Sequence, residues 1–260
     1  MNKKTILANF KMNKTNAQIA EYFDGLLPQL KDIKAQVVCC VPATGIQTAS
    51  EKVKDTEVWI AGQNINQNEK GAYTGEVSAD MVVGAGAKAV VIGHSERRAM
   101  FGETDETVNQ KILRALKSGL VSILCVGESL VERKSNKTRD VLKTQIMGAL
   151  TGVYANELKN IIIAYEPIWS ISTSGTGKVP PEAEIKEAMI IIREIIASIY
   201  DTETAENMLI LYGGSVDEEN SKIIAKIPGV DGAFVGGASL DPTRFAKIVT
   251  AFNKQMKKQG

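Results

Sequence analysis

Glu166 follows directly on the apolar run Ile161-Ile-Ile-Ala-Tyr165. A carboxylate at the edge of such a run loses water, and desolvation raises its pKa toward that of a usable base. Pro167 fixes φ just beyond it, and Trp169 adds a large apolar anchor. From Ser172 to Gly177 every side chain is small or flexible, which is the composition of a lid hinged on a stiff start. Taken alone, these residues also fit a strand-end acid followed by an ordinary surface loop.

Three other groups could work with that carboxylate. His94 is the single histidine of the chain and opens a short helix-like stretch from Ser95 to Phe101. An N–H at a helix start that donates to one ring nitrogen leaves the imidazole neutral, with its other nitrogen a donor. Such a ring is predicted not to titrate near ~6.5, where a free imidazole does. Lys11 follows an apolar run and could supply fixed positive charge to an anionic substrate. The pairs Gly213-Gly214 and Gly236-Gly237 each stand within two residues of a serine, Ser215 and Ser239. Backbone without side chains lets amide groups approach an anion such as phosphate.

The elements that must position these groups are short β-rich runs at residues 5–8, 36–41, 58–61, 89–92, 122–126, 160–165, 208–212 and 232–235. Helical patterns or helix-start signals fill the intervals at 16–30, 43–52, 78–85, 103–118, 136–151, 181–200, 217–226 and 242–257. Strict alternation implies a parallel sheet covered by helices, and eight such units favour closure into one (β/α)8 barrel over residues 1–260. Sites in that fold lie at the C-terminal ends of the strands, where Asn9, Lys11, His94, Glu166, Ser215, Gly236 and Gly237 all fall.

Composition narrows the functional class. Hydrophobic residues make up 44% and charged residues 23%, as in a soluble globular protein with a large core. The net charge of +1 gives no reason to expect nucleic acid or a membrane surface as partner. Cys39, Cys40 and Cys125 read as reduced core residues of a cytoplasmic protein, and one histidine with no ligand spacing argues against a metal site.

The chain closely resembles the triosephosphate isomerase family through Asn9-Phe-Lys-Met-Asn13, Gly71-Ala-Tyr-Thr-Gly-Glu76, Gly93-His-Ser-Glu-Arg-Arg98, Cys125-Val-Gly-Glu128, Ala164-Tyr-Glu-Pro-Ile-Trp169, Tyr212-Gly-Gly-Ser-Val216 and the stretch from Val230 to Leu240. The resemblance implies interconversion of dihydroxyacetone phosphate and glyceraldehyde 3-phosphate without metal or organic cofactor. It assigns Glu166 as the proton-shuttling base and neutral His94, assisted by Asn9, as hydrogen-bond donor to the enediolate. Lys11, oriented by Glu96, stabilises negative charge. Ser215, Gly236, Gly237 and a lid amide hold the phosphate. The 71–76 loop with Thr74 implies a homodimer.

Phe10 stands where the family usually has Trp, which is expected to alter packing only. The lid departs further. Trp169-Ser-Ile-Ser-Thr-Ser-Gly-Thr-Gly-Lys178 carries three more residues than the family's Trp-Ala-Ile-Gly-Thr-Gly-Lys. The amide over the phosphate is then Ser172 or Gly175, with Gly175 favoured. The family latches its closed lid from the Tyr212 hydroxyl to an N–H two residues past the lid lysine, which here is Pro180 and has none. A lid more open without ligand follows. The alternatives are a phosphate-binding barrel with altered or lost turnover, and a Schiff-base aldolase, for which the ends of strands six and seven offer no lysine.

Overall fold

A computed structural model describes residues 4–171 and 177–256. Eight parallel strands form a closed barrel in chain order: β1 (Thr5–Asn9), β2 (Gln36–Cys40), β3 (Trp59–Gly62), β4 (Ala89–Ile92), β5 (Val121–Val126), β6 (Ile161–Tyr165), β7 (Leu209–Tyr212) and β8 (Gly232–Val235). Each lies within one residue of its expected bounds. β8 closes on β1 through the register Thr5↔Gly232 to Ala8↔Val235.

Side chains on a strand alternate between faces, so each strand here feeds two separate cores. One core contains Leu7, Cys40, Val91, Ile123, Ile162, Ala164, Leu211 and Phe234, and every buried member of that cluster lies on a strand. It therefore fills the barrel interior. The other joins the alternate strand residues, among them Ile6, Ala8, Ile163 and Tyr165, to helix residues such as Phe23, Ile112, Ile146 and Phe252. Phe10 packs edge-on against Tyr22 at 4.7 Å between ring centroids, entirely within this outer layer.

Several helices depart from their expected extents for local reasons. The first ends at Leu26 and tightens to a 3-10 turn, Leu27–Leu30, because Pro28 removes a donor. The helix Asp105–Lys117 is preceded by Thr104, whose side chain accepts from Thr107 N–H as an N-cap. The helical pattern expected over 136–151 is preceded by an extra helix, Leu130–Lys134, capped by Ser129. A left-handed Asn136 (φ 56°) then separates that helix from Thr138–Ala149.

Leu211 is fully buried inside the barrel. Leu211→Ala is expected to lower unfolding stability by about 2–5 kcal/mol, measured by urea denaturation, because the closed strand ring leaves little room to collapse on the cavity.

Candidate active site

The alternation that fills the barrel also aims the chemistry. Leu7, Ala164, Leu211 and Phe234 point inward. Two residues further on, past the last filled layer, come Asn9, Glu166, Gly213 and Gly236, and all four line one cavity of about 270 Å³ at the C-terminal mouth. Strand β4 breaks the pattern. Ala89 and Val91 face inward, so His94 has the wrong parity. Gly93 at φ 73° turns the chain and delivers the ring to the mouth, a conformation that a residue with a Cβ adopts only with strain.

Glu166 is buried, and donors from β4's end replace its water. Ser95 N–H donates to Oε2 at 3.1 Å, and His94 Nε2 lies 3.0 Å from Oε1. At the other side of the ring, Glu96 N–H donates to His94 Nδ1 at 3.2 Å, as anticipated for a helix start at Ser95–Met100. The neutral ring therefore carries its proton on Nε2 and offers it to Glu166. Asn9 Nδ2 sits 3.3 Å from the same nitrogen.

These neighbours reverse one expectation and modify another. Burial raises the Glu166 pKa, but His94, the Ser95 amide and Lys11 lower it by more, so the carboxyl lies below its ordinary range. Desolvation alone, the only effect visible beside an apolar run, gave the opposite sign. For His94, burial lowers the pKa, while the facing Glu166 and, more distantly, Glu96 raise it, and the carboxylates prevail. The extra proton has to enter at Nδ1, where the Glu96 amide already points. The amide and burial thus favour the neutral ring, and Glu166 and Glu96 oppose it.

Lys11 Nζ meets Glu96 Oε1 at 2.5 Å, so the expected orienting pair is in contact. The Lys11 backbone is left-handed (φ 50°) and is pinned at both ends. Its N–H donates to Asn9 Oδ1 at 3.0 Å, and its carbonyl accepts from Gln63 Nε2 at 3.0 Å. The same Gln63 nitrogen reaches Cys40 O at 3.0 Å. Gln63 was not among the expected site residues, although it follows β3 at the end of the barrel where such residues belong.

Ser215, Gly236 and Gly237 line the cavity with Asn9, Lys11, His94 and Glu166, so the two glycine loops and the candidate base share one space. A 3-10 turn, Gly237–Leu240, begins at the second glycine pair. The lid starts on another such turn, Ile168–Ser170, directly after Pro167. Trp169 Nε1 donates to Glu128 Oε1 at 3.3 Å, and Tyr165 Oη donates to the same oxygen at 3.0 Å. Glu128 is buried, and burial raises its pKa. Tyr212 Oη has Ser170 Oγ as its partner at 3.2 Å, a contact absent from the expected latch. Ser172 and Gly175 lie outside the described residues. Thr74 is exposed on the 71–76 loop.

The sequence model of the triosephosphate isomerase family matches residues 4–252. The chain is 46% identical to triosephosphate isomerase of Geotalea uraniireducens, over 96% of this chain and 98% of that protein. It is 45% identical to triosephosphate isomerase of a Thermoanaerobacter species, over 96% and 99% respectively. Among solved structures, triosephosphate isomerase from Bartonella henselae superposes with a TM-score of 0.87 at 35% identity, covering 96% of this chain and 99% of that one.

Because the chain has one histidine, its ring can be followed by NMR without assignment. Glu166→Gln removes the facing negative charge but leaves burial and the Nδ1 acceptor bond. The His94 pKa is expected to fall in that variant relative to the parent. An unchanged or raised value shows that Glu166 does not act on the ring.

Proposed function

The chain belongs to the triosephosphate isomerase family and is an intramolecular aldose–ketose isomerase, and we propose that turnover runs through the groups gathered at the barrel mouth. Dihydroxyacetone phosphate and D-glyceraldehyde 3-phosphate interconvert when a base takes the proton from the carbon beside the carbonyl and returns it to the neighbouring carbon. The observation that carries the assignment is the single cavity holding the buried Glu166 carboxylate, the His94 Nε2–H donor and the two Gly-Gly loops.

Glu166 is the base. To reach substrate it gives up the Ser95 N–H, one of the contacts that holds its pKa down, while remaining in a pocket whose burial pushes the pKa up. Its basicity therefore rises as it engages. His94 Nε2–H and Asn9 Nδ2, only 3.3 Å apart, form the donor pair for the carbonyl and enediolate oxygens. Lys11, held by Glu96, supplies positive charge. Amides of Ser215, Gly236 and Gly237 take the phosphate, and a lid amide from Ser172 or Gly175 completes its cover. Excluding water protects the enediolate from losing that phosphate. No metal or organic cofactor enters these steps.

The reaction belongs to glycolysis and gluconeogenesis, which fits a cytoplasmic enzyme. Among the described residues, no helix is long and apolar enough to cross a membrane. A homodimer through the 71–76 loop accounts for a second cavity of about 480 Å³, lined by Met12, Gly75, Glu76 and Phe101 together with Asn9, Lys11 and His94. Met12 is 95% and Phe101 66% exposed there, apolar surface that a second copy would cover while its Thr74 approached the site.

A coupled isomerase assay tests the reading. Glu166→Asp withdraws the carboxylate by one methylene, and the expected loss in turnover is on the order of 10²-fold. Near-normal turnover in that variant rules Glu166 out as the base.

A further inference from the structure

The Ser170 hydroxyl has no place in the proton transfer, yet it is wholly buried and joins the start of the lid to the loop after β7. Its Oγ accepts a hydrogen bond from Ser215 N–H at 3.3 Å. The same oxygen lies 3.2 Å from Tyr212 Oη, also fully buried. Burial pushes the Tyr212 pKa well up, so that hydroxyl stays neutral and able to donate or accept. The packing is tight. A Cβ built on Gly214 would come within 2.2 Å of Tyr212 Oη and 2.8 Å of Ser170 Oγ. The corresponding position in the family lid Trp-Ala-Ile carries a methyl group and can make neither bond.

Ser215 N–H is one of the amides the proposed phosphate site needs. In this chain it is already satisfied, by an oxygen that belongs to the lid. We propose that Ser170 is a positioning residue whose Oγ stands in for a phosphate oxygen, so that the incoming phosphate and Ser170 compete for the Ser215 amide. The inference rests on the isomerase reading of the site and deepens it by naming what the phosphate displaces.

The exchange favours the ligand, because a hydrogen bond to an anionic oxygen is stronger than one to a neutral hydroxyl. The ligand gains only the difference, so Ser170 weakens phosphate binding while keeping the amide aligned in its absence. Ser170 N–H is tied to Pro167 O at 2.8 Å, which fixes the backbone that presents the hydroxyl, so the Oγ yields the amide by rotation about χ1.

The test is Ser170→Ala, read with inorganic phosphate as probe. Phosphate is titrated against protein fluorescence, since Trp169 is the adjacent residue, and used as a competitive inhibitor in the isomerase assay. With no hydroxyl to displace, phosphate affinity is expected to rise about 2- to 10-fold, and KM to fall with it. Ser170→Cys, a weak hydrogen-bonding group of similar size, is expected to fall between parent and Ala and decides the matter if the Ala variant does not fold. Tyr212→Phe removes the hydroxyl's other partner, and its effect on phosphate affinity should be non-additive with that of Ser170→Ala. A parent that isomerises but whose phosphate affinity is unmoved or weakened by Ser170→Ala overturns this inference alone. A parent that binds phosphate without isomerising overturns the functional reading, and the titration still decides the role of Ser170.

Discussion

A carboxylate with almost no contact with water has to receive from the protein the donors that water would have supplied, or it does not stay ionised. Glu166 is in that position, and the barrel mouth is built around meeting its demand. Strand β6 carries it inward past Ala164, and the end of β4 brings Ser95 N–H and His94 Nε2 to its two oxygens. In the neutral ring the proton stands on that side because the Glu96 amide holds the far nitrogen as an acceptor. Glu96 in turn spends its carboxylate on Lys11. One short helix, Ser95–Met100, thus fixes the ionisation of the base, the tautomer of the histidine and the position of the ammonium group.

The same groups explain why the basicity of Glu166 depends on where it points. In contact with Ser95 and His94 it is held below the ordinary carboxyl range. In the proposed turnover it turns toward the substrate, keeping the burial and giving up the amide. On the proposed role of Glu166, a single residue would rest charged at low cost and still take a proton when engaged, because the donors that stabilise the observed position would lie to one side of the working one.

What could be read from the chain was whatever declares itself by local pattern. Strands buried on both faces appear as short β-branched runs, and their ends locate the site because the barrel interior is already filled by the residues before them. The sign of the Glu166 shift was not legible, since it is set by groups 71 and more positions away that only the closed barrel brings near. Gln63 was invisible for a related reason. It acts on two backbone carbonyls, Lys11 O and Cys40 O, and carbonyl partners leave no mark on residue type. Ser170 carries no signal of its own in sequence, since its two partners come from the end of β7 and the loop after it. The helix Leu130–Lys134 did carry a signal, the Ser129-x-x-Glu132 capping box, obscured by the polar stretch that follows.

Lys11 keeps its charge in place on a backbone with φ at 50°, a conformation that costs a side-chain-bearing residue about 1–3 kcal/mol and that Asn9 and Gln63 clamp from either side. Glycine at this position would relieve the backbone strain, against which stand the loss of the Lys11–Glu96 ion pair and the greater freedom of glycine in the unfolded chain. It would also empty the site of its ammonium group. On the proposed role of Lys11, relief of backbone strain and retention of the charge therefore pull in opposite directions at this one residue, and a lineage drifting under the first alone would lose the ammonium group that the chemistry uses.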